Sequence, residues 1–187
     1  MLDRRELVTS LLADRGDLLV VSGLGAPTYD VAAAGDHPLN FYLWGAMGGA
    51  AMMGLGLALA QPRRPVLVIT GDGEMLMGLG SLATIGVKQP ANLSIVVLDN
   101  RRYGETGMQA SHTEWGIDLV GVAKACRFRN ALAIEAEAEA ASVRKLVHAA
   151  GPTFVQARVH PEDLPRVLPV RDGHAIRQRF MEALKTA

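Results

Sequence analysis

Ile69-Thr70-Gly71-Asp72-Gly73-Glu74, and after it Val96-Val97-Leu98-Asp99-Asn100-Arg101-Arg102-Tyr103, decide how this chain folds. The apolar run 66–69 ends in a glycine-flanked aspartate. A helix-length stretch follows, and a second apolar run, 93–98, ends in an aspartate–asparagine pair. A strand–helix–strand unit with parallel strands carries both loops to one edge of a sheet. Neighbouring strands lie ~4.8 Å apart, so Asp72 and Asn100 are within reach of one hard cation that takes oxygen ligands, as magnesium does. The glycines let a phosphate approach bare backbone N–H groups. The spacing predicts a magnesium–diphosphate site.

Working outward, residues 2–13 carry helical apolar spacing that Gly16 stops. Residues 18–22 read as a buried strand, followed by the loop Gly23-Leu24-Gly25-Ala26-Pro27. A short helix is expected over 28–34, a strand over 40–44 and a helix over 47–60. That last helix contains Gly48, Gly49, Gly54 and Gly56. Glycine costs ~1 kcal/mol in a helix interior, so these four point to a close approach by another backbone or a ligand. The central unit is expected as strand 66–70, helix 76–87 and strand 93–98, with Pro90 and Asn92 at the turn. Residues 99–117 read as a long polar loop, of the kind that is functional or mobile in compact domains. A helix capped by Asp118 over 118–126, a surface helix over 135–150, a strand over 153–159 and a terminal helix over 172–185 complete the pattern. Strands alternating with helices give an α/β fold, a doubly wound, mainly parallel sheet with helices on both faces. Ligands of such sheets sit beyond the carboxyl ends of the strands. Four loops share that edge: 23–28, 44–47, 71–74 and 99–106.

The 187 residues are enough for one domain spanning 1–187 with a sizeable core. Formal net charge is zero, which argues against a nucleic-acid or polyanion partner. The single cysteine, Cys126, excludes a disulfide framework, a Cys-rich zinc site and a Cys-ligated iron–sulfur cluster, and reads as a packed thiol. The charged start Met1-Leu2-Asp3-Arg4-Arg5-Glu6 has no secretory apolar region, and the apolar stretch 46–60 is too short to span a bilayer. The expectation is a cytoplasmic protein with no membrane partner. Met47, Met52, Met53, Met75 and Met77 read mostly as core filler, with Met47 the exception.

The pattern Gly71-Asp72-Gly73 followed by Asp99-Asn100 resembles the diphosphate-binding domain of thiamine-diphosphate-dependent enzymes. Leu43-Trp44-Gly45-Ala46-Met47-Gly48 resembles the decarboxylase branch of that family, and the layout and length resemble the enzymes that decarboxylate sulfopyruvate or phosphonopyruvate. The resemblance covers roughly residues 18–160. It implies thiamine diphosphate and Mg2+ as cofactors, with Asp72, the Asn100 side-chain oxygen and the Arg102 carbonyl as metal ligands. It implies that backbone N–H groups of Gly73 and Glu74, next to Gly71, hold phosphate oxygens, and that the loop with Gly25, Ala26 and Thr28 touches the diphosphate from the other side. By the same resemblance the Gly45 carbonyl accepts from the pyrimidine 4′-amino group, Met47 wedges beneath the bend between the two rings, and Tyr103 and Gly104 belong to the cofactor loop.

Glu105 and Thr106 are expected at the mouth of the site. His112, beside Ser111 and Thr113, is a candidate proton donor or anion holder, with an ordinary surface histidine as the plainer reading. The implied reaction is decarboxylation of a small anionic 2-oxo acid to an aldehyde. The family also needs a glutamate on the pyrimidine, supplied by a separate pyrimidine-binding domain. With room for one domain, the chain is expected to be inactive alone and to pair with a second subunit in an α2β2 or larger assembly. The same residues serve carboligation or acyl transfer, and a non-catalytic cofactor-binding subunit also remains open. Glu74 stands where the decarboxylases often carry serine, and its charge faces a diphosphate unless it turns away to cap the helix.

Overall fold

The computed structural model describes residues 1–186. In chain order the elements are α1 (Arg4–Leu12), β1 (Leu19–Ser22), α2 (Ala26–Ala33), β2 (Asn40–Tyr42), α3 (Ala50–Ala60), β3 (Val66–Gly71), α4 (Asp72–Met77), α5 (Ser81–Lys88), β4 (Leu93–Asp99), β5 (Arg102–Tyr103), β6 (Gln109–Ala110), α6 (Leu119–Ala125), β7 (Asn130–Ile134), α7 (Ala140–Val147), β8 (Thr153–Arg158) and α8 (Gly173–Thr186). Six strands form one sheet in the order β2-β1-β3-β4-β8-β7, every pairing parallel. The runs of β1 and β4 are buried throughout, as a parallel sheet covered on both faces requires. One core cluster packs α3, α5 and α6 on one face, the other packs α1, α2 and α7 on the opposite face, and α8 contributes to both. The fold is therefore doubly wound α/β.

Strand order places the ligand crevice. From β1 the chain crosses through α2 to β2 on one side, then returns through α3 to β3 on the other side of β1. The direction reverses between β1 and β3. Loops leaving neighbouring strands there diverge to opposite faces and open a crevice beyond the carboxyl ends.

Several local expectations are corrected. The helix expected over 76–87 is two helices, α4 and α5, parted at Gly78-Leu79-Gly80. A Cβ on Gly78 would stand 2.3 Å from the Gly48 carbonyl oxygen, so the break lets the loop before α3 lie against it. β7 was not foreseen. Its Asn-Ala-Leu-Ala-Ile sequence carries little strand signal, and pairing with β8 supplies what propensity lacks. The helix expected over 135–150 starts later, with a 3₁₀ turn Glu137–Glu139 and then α7. The polar stretch 99–117 contains the hairpin of β5 and β6 and two 3₁₀ turns. Of the five methionines read mostly as core, Met75 is buried, whereas Met47, Met52, Met53 and Met77 are exposed. Among the described residues no helix is long and apolar enough to cross a membrane.

Candidate active site

The loops after β1, β2, β3 and β4 converge on a cavity of about 150 Å³ at the crevice. Leu24, Ala26 and Pro27 contribute one wall, Gly71, Asp72, Gly73 and Glu74 the floor, and Asn100, Arg102, Tyr103, Gly104, Glu105 and Thr106 the other wall, with Met47 reaching in from the loop before α3. Four expected residues stand outside this lining. Thr28 is buried behind it, its hydroxyl bonded to the Gly23 carbonyl and to Ser22 Oγ, both at 2.7 Å. Gly25 backs onto Glu105, whose side chain leaves no room for a Cβ there (2.8 Å). Gly45, at φ +75°, sits in the exposed turn before Met47. His112 is exposed, and its Nδ1 lies 2.9 Å from the Tyr103 hydroxyl.

Asp72 is buried at the end of β3. Its Oδ2 accepts from Ser111 Oγ and from Thr113 Oγ1, the latter at 3.2 Å. Thr113 Oγ1 also lies 2.8 Å from Asp99 Oδ1, so one hydroxyl serves two carboxylates. Burial pushes the Asp72 carboxyl up to about 6, the Asp99 charge adds to this, and the Ser111 hydroxyl opposes it. Asp99 is held by Arg158, by Gln156 and by the Arg101 amide at 3.0 Å. It anchors the turn that presents Asn100. That turn is tight: Arg101 takes φ +60°, and Asn100 Oδ1 accepts from the Arg102 amide at 2.9 Å.

Ser111 N donates to the Arg101 carbonyl at 2.9 Å, which makes that pair hydrogen-bonded across the hairpin. The next pair, Arg102 and Ala110, is then the non-bonded kind. The Arg102 carbonyl is accordingly turned away from β6. The Arg102 side chain leaves in another direction, toward Glu114 at 3.4 Å.

Glu74 does not confront the cavity with a bare charge. Its carboxylate is buried and accepts from Leu24 N at 2.9 Å, Ala50 N at 3.3 Å and Thr70 Oγ1 at 3.0 Å. These donors belong to the loop after β1, the start of α3 and the end of β3. One side chain thus ties three of the converging segments. Burial raises its carboxyl, and the Thr70, Leu24, Ala50 and Gly48 donors pull it back. A Cβ on Gly23 would stand 1.9 Å from Glu74 Oε2, so glycine at 23 makes room for this clamp. Gly73 is equally constrained, because a Cβ there would meet the Tyr103 ring at 2.7 Å. Sequence reasoning missed the Glu74 clamp, Ser111, Thr113 and Arg4, which also lines the cavity. The pairing of an unusual Glu74 with Gly23 was the available signal for the clamp.

Among the described residues no trio of His, Cys, Asp or Glu could hold a metal. The donor set at the crevice is mixed instead: the Asp72 carboxylate, the Asn100 amide oxygen and the Arg102 carbonyl. All are hard oxygens suited to magnesium. Asp72 and Asp99 are two buried carboxylates with one close cation, Arg158, and the remaining negative charge suits a bound cation. The residues fit the ion and, through the glycine backbone at 71 and 73, a diphosphate beside it.

The family described as the thiamine pyrophosphate enzyme C-terminal TPP binding domain matches residues 23–157. The chain is 37% identical over 187 residues to the sulfopyruvate decarboxylase subunit beta of Methanothermobacter thermautotrophicus, covering 100% of this chain and 98% of that one. It is 39% identical to the phosphonopyruvate decarboxylase of Streptomyces viridochromogenes, over 86% of this chain and 42% of that one. The thiamine diphosphate-dependent 4-hydroxybenzoylformate decarboxylase of Rhodococcus jostii shares the fold, with a TM-score of 0.67 at 20% identity over 87% of this chain and 33% of that one. The chain belongs to the thiamine pyrophosphate enzymes and carries their C-terminal cofactor-binding domain.

Proposed function

We propose that this chain is the diphosphate-binding subunit of a thiamine-diphosphate-dependent decarboxylase of a small anionic 2-oxo acid, sulfopyruvate or phosphonopyruvate in kind. The observation that carries the reading is that Asp72, Asn100 and Arg102 line one cavity at the switch-point crevice. The full-length similarity to a sulfopyruvate decarboxylase subunit beta supports the substrate class. Residues 1–187 form one domain in this reading, and a separate subunit brings the pyrimidine-binding half and its glutamate, in an α2β2 or larger assembly.

When bound, thiamine diphosphate supplies an electron sink for loss of carbon dioxide. This chain's residues bind and orient. Asp72, Asn100 and the Arg102 carbonyl hold Mg2+. The Gly73 and Glu74 amides would hold phosphate oxygens, and Ala26 and Pro27 of the loop after β1 would face the diphosphate from the opposite wall, with Gly25 and Thr28 behind them. The Gly45 carbonyl and the adaptable Met47 thioether would hold and orient the pyrimidine end of the cofactor. Tyr103, whose ring covers Gly73, closes the wall and keeps water out. Glu105 and Thr106 stand at the mouth where substrate enters, and His112, bonded to Tyr103, is the nearest candidate to hand a proton inward.

The test is co-expression with the partner and a screen of 2-oxo acids for carbon dioxide and aldehyde. Turnover of sulfopyruvate or phosphonopyruvate that depends on magnesium and thiamine diphosphate is expected, and is lost in Asp72→Ala. Condensation products without net aldehyde release would assign the chain to carboligation instead.

A further inference from the structure

We infer that Arg4, at the start of α1, is a further anion-binding residue of the cavity and donates through Nη2 to a phosphoryl oxygen of the bound diphosphate. The inference rests on the cofactor reading of the site and adds a residue to it. Topology delivers the side chain. α1 precedes β1 and runs back along the sheet, so its first turn lies at the carboxyl edge. Leu2 N donates to the Arg158 carbonyl at 2.9 Å, and Leu2 bridges Val159 just past the end of β8. Arg4 is thereby placed against Asp30 of α2 and in the lining of the cavity that also holds Ala26, Pro27 and Asp72.

A guanidinium stays charged, and burying one is costly unless it is paired and hydrogen-bonded. Arg4 is only 7% exposed. Its Nε donates to Asp30 Oδ2, and its Nη1 reaches the Glu162 carbonyl at 3.3 Å. Among the described residues Nη2 has no hydrogen-bond partner, yet it is not among the sealed polar atoms. Its N–H groups are therefore open to solvent, and Arg4 is one of the residues that line the cavity.

The charge count points the same way. Asp30 is fully buried and is shared between Arg4 and Arg5, at 3.3 Å from the latter. Shared by two cations, Asp30 does not by itself neutralise Arg4. Opposite it, Asp72 and Asp99 favour a metal. An anion lying between a bound cation and an unspent guanidinium edge is the arrangement that both halves of the cavity call for. The free Nη2 of a permanently charged guanidinium suits an anionic oxygen, whether of a phosphoryl group of the cofactor or of the anionic tail of a substrate.

The experiment is calorimetric titration of the full-length chain with inorganic pyrophosphate in the presence of magnesium, for the wild type, Arg4→Gln and Arg4→Lys. Ligand-free thermal melts of all three are taken alongside. Arg4→Gln is expected to weaken pyrophosphate binding at least tenfold. Arg4→Lys, a point charge without the fork, is expected to fall between the two, at least threefold weaker than the wild type. Should Arg4→Gln not fold, Arg4→Lys decides alone, and wild-type affinity in it overturns the inference. A folded Arg4→Gln chain that binds pyrophosphate within twofold of the wild type also overturns it. Failure of the wild type itself to bind sinks the site reading, a separately visible result. In the assembled enzyme, an Arg4→Lys effect on the KM for the 2-oxo acid with unchanged cofactor affinity would hand the residue to the substrate and likewise overturn the assignment.

Discussion

Asp72, the proposed metal ligand, shows how burial of a single carboxylate trades against stability. Burial raises it to about 6, so the metal-free folded chain holds its proton more tightly than the unfolded chain does. Its contribution to stability is therefore complete below about pH 4 and is lost as pH rises toward 6. Asp72→Asn removes that loss. The variant is expected to be more stable than the metal-free wild type at pH 8, by about 1–3 kcal/mol, with the gap closing as pH falls to 4, while magnesium-dependent cofactor binding disappears. Urea melts across pH, with and without magnesium, measure both. Gly23→Ala tests the Glu74 clamp. A methyl 1.9 Å from Oε2 must displace the carboxylate from the Leu24 amide. The expected cost is about 2–4 kcal/mol in urea unfolding, and Gly23→Ala combined with Glu74→Ser should recover part of it. Asp72 and Asn100 were legible because glycine and asparagine punctuate apolar runs. The clamp was not, because its donors at 24, 50 and 70 are distant in sequence and meet only when the three loops converge.

At the scale of elements, the glycines between and within helices separate packing from function. α5 lies so close to the end of α6 that a Cβ on Gly86 would fall 1.7 Å from the Cys126 carbonyl oxygen. Gly86→Ala should cost about 2–4 kcal/mol and leave pyrophosphate affinity of the folded fraction unchanged, since neither helix lines the cavity. Gly78→Ala is expected to differ. Its methyl would press on the Gly48 carbonyl, next to Met47, so cofactor affinity as well as stability should fall. Titrations on both variants distinguish the two cases, and equal affinities would refute the coupling of the α4–α5 break to the Met47 loop. The central strands were readable from apolar runs alone. The break within 76–87 and the hairpin in 99–117 were not, because each depends on a neighbour: Gly48 for the first, and Asp72 and Asp99, through Ser111 and Thr113, for the second. β7 escaped because an alanine-rich edge strand owes its existence to β8.

On the scale of the whole molecule, α3 is the element that does not balance. Residues 50–60 contain no polar side chain, and a helix that is apolar all round is ordinarily buried all round. One side of α3 is, with Gly54 seated against Val68. The other side leaves Met52, Met53 and Leu59 exposed, and Gly56 meets nothing within 4 Å. Exposed apolar surface of this kind marks a contact with another protein. The helix starts from the loop that carries Met47, so a chain docked on it would stand beside the candidate site, where the proposed pyrimidine-binding partner would sit. Met52→Glu combined with Met53→Glu should therefore leave pyrophosphate binding by the separate chain intact. It should weaken assembly with the partner at least tenfold, and decarboxylation should fall in step with assembly. The isolated wild-type chain should show no turnover. Sedimentation and rate measurements on mixed subunits test these points together. Full assembly and activity in the double variant would move the partner off α3, and turnover by the isolated chain at the rate of the complex would end the split-site account.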